Sequence, residues 1–160
     1  MGMQLPGWLR QALEYVGYDW PATDESVLWD WAQQWNTLAG ECTQVISQVQ
    51  QGAELVTVAN QGPAARAFAQ HFGGEDTNLK AIVDFRQGAV NVAGAHGVAA
   101  GIVLTMKLAV IAQLVILAAA IASAVATLGL ASGAALAARQ AAKWAIEAAI
   151  NIAVEQILAA

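Results

Sequence analysis

The most regular pattern in the sequence is a heptad repeat of apolar residues in the first half of the chain. The apolar positions are separated by steps of three and four residues in strict alternation, over four heptads. A 3.5-residue repeat keeps one stripe of a helix facing a second helix along its length. The pattern therefore predicts a long helix, from Asp24 to about Asn60, packed lengthwise on another helix. We call its apolar positions the heptad seam: Leu28, Trp31, Trp35, Leu38, Cys42, Val45, Val49, Gly52 and Val56.

The predicted long helix ends in a turn, and a short second helix follows. Gly62 accepts the backbone conformation that closes a helix, and Pro63 suits the first position of the next one. Phe68 and Phe72 lie four residues apart and therefore share one face of the second helix. The pattern indicates a helical hairpin. Because the long helix would measure roughly 55 Å at 1.5 Å per residue, we expect an all-α, elongated bundle.

A shorter amphipathic segment precedes the hairpin. Apolar residues between positions 5 and 16 recur at helical spacing, which predicts a short helix that ends near Gly17. We expect Trp8 and the linker residue Trp20 to fold back onto the long helix near its own tryptophans. Asp24 or the preceding threonine would then cap the long helix.

The second half of the chain is rich in alanine and glycine and almost free of charge. Gly97 and Gly101 are spaced so that two helix backbones can approach closely. The segment from Leu108 to Leu128 is uncharged and long enough to cross a hydrocarbon core of about 30 Å. A Gly-containing hinge then predicts a returning amphipathic helix, and thus an apolar helical hairpin. The candidate positions for close packing or membrane contact are Gly97, Gly101, Leu108, Leu114 and Leu128.

This change in composition along the chain predicts two domains. Residues 1–88 would form the helical hairpin domain with its short N-terminal helix, and residues 89–160 the Ala/Gly-rich apolar hairpin. The last residues carry no capping residue or polar tail, so we expect the chain to be part of a longer polypeptide.

The overall composition narrows the classes of partner. The net charge is -5 with only 7 Lys and Arg residues, which excludes the basic footprint of a nucleic-acid-binding protein. The hydrophobic content of 58% exceeds the usual soluble range of about 45–50%. This excess must contact another helix, another chain or lipid.

Residues for catalysis or metal binding do not cluster in the sequence. His71 and His96 fall on different predicted helices, and neither has a ligand at metal-binding spacing. Cys42 lies on the apolar seam without a nearby histidine, so a nucleophilic role is not indicated. We therefore expect no catalytic residues, no metal site and no cofactor, and we predict that the protein is not an enzyme.

The hairpin resembles a known family of secreted proteins. The long amphipathic helix is followed by Asn60-Gln61-Gly62-Pro63 and then by Ala64-Ala65-Arg66-Ala67-Phe68, a G-x-A-A-x-A-F pattern. Together with Pro6-Gly7-Trp8 near the start, this is similar to the WxG-like N-terminal domain of actinobacterial polymorphic toxins, which type VII (ESX) systems secrete and some of which form channels. Asn60 occupies the position of the family's tryptophan. The resemblance covers about residues 5–125.

The resemblance implies a function. Such domains act as non-catalytic targeting and assembly modules, which pair through helical seams with a small WxG-type hairpin protein or with a second copy. It further implies contact with the type VII secretion machinery and a secreted or cell-envelope location. The first residues do not have the pattern of a signal peptide, so we expect secretion without a cleavable signal, which agrees with this route. The alternative stays open: residues 89–138 insert in lipid as a channel or translocation segment that delivers a toxin.

Overall fold

Five α-helices make up the protein in the computed structural model, which describes residues 2–127 and 132–159. All regular secondary structure in these two ranges is helical, and the prediction of an all-α helical bundle is confirmed. The helices are α1 (Gly7–Val16), α2 (Glu25–Ala59), α3 (Pro63–Phe72), α4 (Asn78–Ala126) and α5 (Ser132–Ala159).

The helices contribute to two compact units. Unit 1 contains the described residues of Met1–Trp29 and Gly97–Ala160, and unit 2 contains Asp30–His96. The two longest helices, α2 and α4, therefore each supply residues to both units. The predicted boundary between two domains at residue 88 was based on composition. It stays a prediction.

Unit 1 has a core formed by α1, α4 and α5. The apolar residues of α1 recur every three or four positions, so they form one face that packs on both longer helices. The buried members of this core are Leu5, Leu9, Ala12, Leu13, Val16, Val110, Leu114, Leu117, Ala142 and Ile146. Trp8 lies outside the core and is 58% exposed. The expectation that Trp8 packs on the long helix is therefore wrong, because the buried face of α1 contacts α4 and α5 instead.

Unit 2 contains the antiparallel pair formed by α2 and the first part of α4. Arg86 Nε donates a hydrogen bond of 2.8 Å to Thr43 Oγ1, and the rings of Trp31 and His96 meet edge to face at 5.5 Å. The buried positions of this helix pair are alanines, whose small side chains let two helices approach closely. They are Ala32, Ala39 and Ala53 on α2, and Ala89 and Ala93 on α4.

Local signals in the sequence account for the helix ends. Gly17 has φ 87°, and its N–H donates to carbonyl oxygens of the last turn of α1, which is the left-handed cap that glycine favours. Asp24 caps the start of α2 by accepting a bond of 2.9 Å from Ser26 N. Thr77 caps α4 in the same way, by accepting a bond of 3.2 Å from Lys80 N.

Candidate functional site

The heptad seam lies at the border between the buried and the exposed faces of α2. The buried alanines of this helix each follow a seam position by one or four residues, so the centre of the buried face is displaced to one side of the seam. Seam residues on the buried side, such as Trp35 and Cys42, are partly covered. Those on the other side stay half exposed: Trp31 (48%), Val45 (43%), Val49 (39%) and Val56 (42%).

The remaining residues of the seam also differ in burial. Leu28 and Leu38 are partly buried, whereas Gly52 is exposed and has no neighbour that an added Cβ would meet within 4 Å. A shallow groove of about 350 Å³ opens on the seam and is lined by Trp31, Gln34, Trp35 and Leu38. Such a depression between side chains on a helix has the form of a hole that receives a side chain from a facing helix.

The turn between α2 and α3 has the features predicted from its glycine and proline. Gly62 has φ 107°, a value that residues with a side chain rarely adopt, and Pro63 is the first residue of α3. Asn60 donates from Nδ2 to Val56 O at 2.8 Å and so satisfies a carbonyl at the end of α2. Phe68 and Phe72 stack with their ring centroids 5.7 Å apart.

The candidate positions for close packing or membrane contact have different surroundings. A Cβ added at Gly97 would lie 3.7 Å from the Trp29 ring, whereas at Gly101 it would meet nothing within 4 Å. Leu114 is fully buried in the core of unit 1, and Leu108 is half exposed. Leu128 lies outside the described residues. The role of these positions stays a prediction.

Among the described residues, α4 is the one helix that is long and apolar enough to cross a membrane. Its most apolar window of 18 residues has a mean hydropathy of 2.5, and 17% of that window is buried. Long apolar helices in the cores of soluble proteins share this length and composition.

The family model of the WXG100 like domain matches residues 3–149. The chain belongs to the WXG100-like family. No curated protein and no solved structure matches it significantly.

Membership of the WXG100-like family indicates the general function of the chain. It makes the chain a helical protein related to type VII secretion, from a family whose members are generally secreted and non-enzymatic. Members of the family typically pair with partner proteins in that system. The match extends from the N-terminal segment into α5, so it includes described residues of both units of this WXG100-like domain.

A buried ion pair in unit 1 of the WXG100-like domain was not foreseen from the sequence. Lys107 Nζ lies 2.7 Å from Glu25 Oε2 and 2.6 Å from Thr23 O, and the two charged side chains are 2% and 8% exposed. The ammonium group also lies 5.6 Å from the centroid of the Trp20 ring, in a cation–π contact. One signal was present: Lys107 is the sole Asp, Glu, Lys or Arg between Arg86 and Arg139.

The carboxylates at the start of α2 hold the N-terminal segment as well. The second oxygen of Glu25 accepts a hydrogen bond from Met3 N, and the Trp20 indole N–H donates to Met3 O at 3.3 Å. Burial raises the pKa of Glu25, but the hydrogen bonds from Lys107 and Met3 outweigh it, so the net pKa is below the usual value. The pKa of Asp24 is also lowered, chiefly by the Ser26 hydroxyl and then by the Gly2 amide.

The remaining residues that could take part in catalysis or metal binding are dispersed. Among the described residues, no group of three or more His, Cys, Asp or Glu side chains could hold a metal ion. Cys42 is a partly buried free thiol on the seam. His96 Nδ1 lies 2.8 Å from Val92 O within its own helix, and His71 is exposed on α3. These groups do not converge on one site in either unit.

Proposed function

We propose that this chain is the non-catalytic targeting and assembly module of a toxin secreted by a type VII system. It pairs through the exposed side of the heptad seam with a small WxG-type helical hairpin or with a second copy of itself. The observation that carries this proposal is the row of half-exposed Trp31, Val45, Val49 and Val56 along one helix, in a family whose members pair.

The row has the spacing that a partner helix needs. Trp31 and Val45 lie two heptads apart, and Val49 and Val56 continue the same side of α2, so a second helix could contact all four along its length. Exposed apolar residues aligned on one side of a helix in this way favour an interaction site. The groove at Trp31 and Trp35 would receive one apolar side chain of the partner.

The test compares two double variants of α2 with equal charge change. Val45→Lys with Val49→Lys places two charges on the exposed side of the seam. Ser47→Lys with Gln51→Lys places the same two charges, at the same spacing, on the opposite side of the helix. Sedimentation would measure the mass of each protein, alone and co-expressed with a small WxG-type hairpin protein.

The parent is expected to exceed its monomer mass of 16.6 kDa in at least one of the two conditions. The seam variant is expected to return to the monomer mass, whereas the control keeps the parent's mass. A parent that is monomeric in both conditions would contradict the proposal. Equal loss of pairing in both variants would contradict the assignment to the seam.

A second candidate function follows from α4. Its apolar window has a mean hydropathy of 2.5 and is mostly unburied, which favours a segment that inserts in lipid to deliver a toxin. Ile116 is 58% exposed near the middle of the uncharged part of α4, and Trp144 is similarly exposed on α5. A lysine at the centre of a membrane-spanning helix costs about 2.5–3.5 kcal/mol on insertion scales.

Liposome leakage tests this second function. The parent should release a trapped dye, Ile116→Lys should abolish the release, and Trp144→Lys should retain it. If the parent leaves liposomes intact, the proposed membrane function is contradicted and the pairing proposal is unaffected.

A further inference from the structure

A groove separate from the heptad seam opens in unit 1, between three helices. Its volume is about 790 Å³, within the range of about 300–1,000 Å³ that small-molecule sites occupy. α1, α4 and α5 all contribute to its walls. The lining residues are Trp8, Gln11, Ala12, Tyr15, Ala118, Ile121, Ala122, Ala124, Val125 and Ala135.

The helical register explains why this groove is apolar over its length. On α1, Trp8 and Tyr15 lie two turns apart on one face, and on α4 Ala118 and Val125 have the same separation. Each wall is therefore about 10 Å long at 1.5 Å per residue. The Gln11 amide and the polar ends of Trp8 and Tyr15 are the polar side-chain groups of the lining. A ligand of this groove must have an extended apolar part.

A guanidinium group lies beside this apolar lining. Arg139 follows Ala135 by one turn on α5, so the two residues share a face of that helix. Its Nε donates to Tyr15 O at 3.1 Å, and the guanidinium carbon lies 4.7 Å from the centroid of the Tyr15 ring. These two contacts fix the group against a residue that lines the groove.

The charge of Arg139 is not neutralised within the described part of the chain, where no ion pair includes it. Guanidinium presents five N–H donors, and the bond to Tyr15 uses one of them. The planar group matches the geometry of carboxylate or phosphate oxygens, which it binds in bidentate fashion. A fixed cation at the edge of an apolar groove thus selects for an anionic head group joined to an apolar chain.

We propose that this groove binds a single-chain anionic amphiphile of the fatty-acid class. The acyl chain lies along Trp8, Ile121 and Val125, and the carboxylate contacts the guanidinium of Arg139. The inference goes beyond the proposed pairing function, because residues of the seam in unit 2 take no part in the groove. An anionic phospholipid also presents an acyl chain beside an anionic head group, and the experiment separates that alternative from the proposed free fatty acid.

The experiment measures displacement of a fluorescent fatty acid, cis-parinarate, by laurate below its micelle concentration. Laurate is expected to displace the probe, and dodecanol, with the same chain and no charge, is expected to do so about tenfold less well. Arg139→Gln should weaken the binding of laurate about tenfold and leave the binding of dodecanol unchanged. Lys143→Gln, one turn further along α5, removes the same charge and should change neither.

A second pair of variants tests the acyl part of the site. Ala122→Phe fills the groove and should abolish displacement by both ligands. Ala119→Phe adds the same bulk to an exposed position of α4 outside the groove and should leave both affinities unchanged. Circular dichroism and thermal unfolding of every variant establish that the fold is kept. If Ala122→Phe unfolds, the milder Ala122→Leu replaces it, and a partial loss of displacement by both ligands is expected.

Three outcomes would overturn the proposal. They are no displacement by laurate, equal loss in Ala119→Phe and Ala122→Phe, or equal affinity for laurate and dodecanol with no effect of Arg139→Gln. Where laurate binding holds, flotation with phosphatidylglycerol vesicles identifies the source. Binding to vesicles that Ala122→Phe removes supports a phospholipid ligand, and flotation unchanged by that variant supports a free fatty acid.

Discussion

Lys107 Nζ and Glu25 Oε2, on residues 82 positions apart in the sequence, lie 2.7 Å apart in the interior of unit 1. Removing both charges from water costs several kcal/mol per ion, which only close pairing and further hydrogen bonds can offset. Both conditions are met, since Thr23 O also accepts from the ammonium group and Met3 N donates to the carboxylate. The pair therefore joins the start of α2, the N-terminal segment and α4 at one point.

Replacement of one partner should destabilise the protein strongly. Glu25→Gln leaves the Lys107 ammonium buried without a counter-charge, and we expect a loss of about 3–5 kcal/mol in the free energy of unfolding. Urea denaturation monitored by circular dichroism measures this loss. The double variant Glu25→Gln with Lys107→Met removes both charges and should recover most of the stability. A double variant as unstable as the single one would contradict the assignment to an uncompensated charge.

Acid should weaken the fold through the same carboxylate. Because the folded-state pKa of Glu25 lies below its usual value of 4.5, the unfolded state binds more protons as the pH falls through that region. The stabilisation is therefore complete well above pH 4.5 and is lost as the pH falls through the folded pKa. Thermal unfolding from pH 7 to pH 3 should show this decline in the parent and a smaller one in Glu25→Gln. Identical profiles would exclude Glu25 as the cause.

The core position of α1 gives a third prediction. Leu13 is 1% exposed and Trp8, on the same helix, is 58% exposed. Leu13→Ala should cost about 2–5 kcal/mol, because it leaves a cavity between α1, α4 and α5. Trp8→Ala removes a larger side chain and should cost less, since most of that side chain already contacts water. Equal costs in urea denaturation would show that α1 does not pack as described.

Two glycines of the hairpin should respond in opposite directions to alanine. Gly62 has φ 107°, so Gly62→Ala places a side chain on a strained backbone and should cost about 1–3 kcal/mol. Gly52 lies inside α2 with open space around it, so Gly52→Ala should stabilise the protein by about 0.5–1 kcal/mol. The midpoint of thermal unfolding would measure both. A destabilising Gly52→Ala would indicate a close neighbour at that position.

Local patterns in the sequence predicted the short N-terminal helix and the helical hairpin, together with the ends of these helices. The 3.5-residue repeat identified α2, and the Gly62-Pro63 pair identified its turn, because helix periodicity and backbone restriction act within a few residues. The returning helix that was predicted after the hinge is observed as α5, Ser132–Ala159. Such features need no knowledge of the tertiary structure.

Contacts between distant residues could not be predicted in the same way. The tryptophans near the N-terminus suggested packing on the long helix, but α1 instead shares its core with residues of α4 and α5 that lie more than ninety positions away. Periodicity shows that a face is apolar and does not identify what covers it. The seam illustrates the same limit, because alanines beside it are buried while Val45 stays half exposed. Lys107 stood out as an isolated charge, but its partner depended on the fold.

The packing of α1 has a consequence for synthesis on the ribosome. Leu9 and Leu13 are synthesised well before Ile146, a residue that shares their core and lies more than 130 positions later in the sequence. Unit 2, from Asp30 to His96, has its helical partners within one continuous stretch and can assemble sooner. The apolar face of this N-terminal segment therefore stays uncovered until the core residues of α4 and α5 have been translated. That interval is when a chaperone or a binding partner has access to a surface that the finished protein conceals.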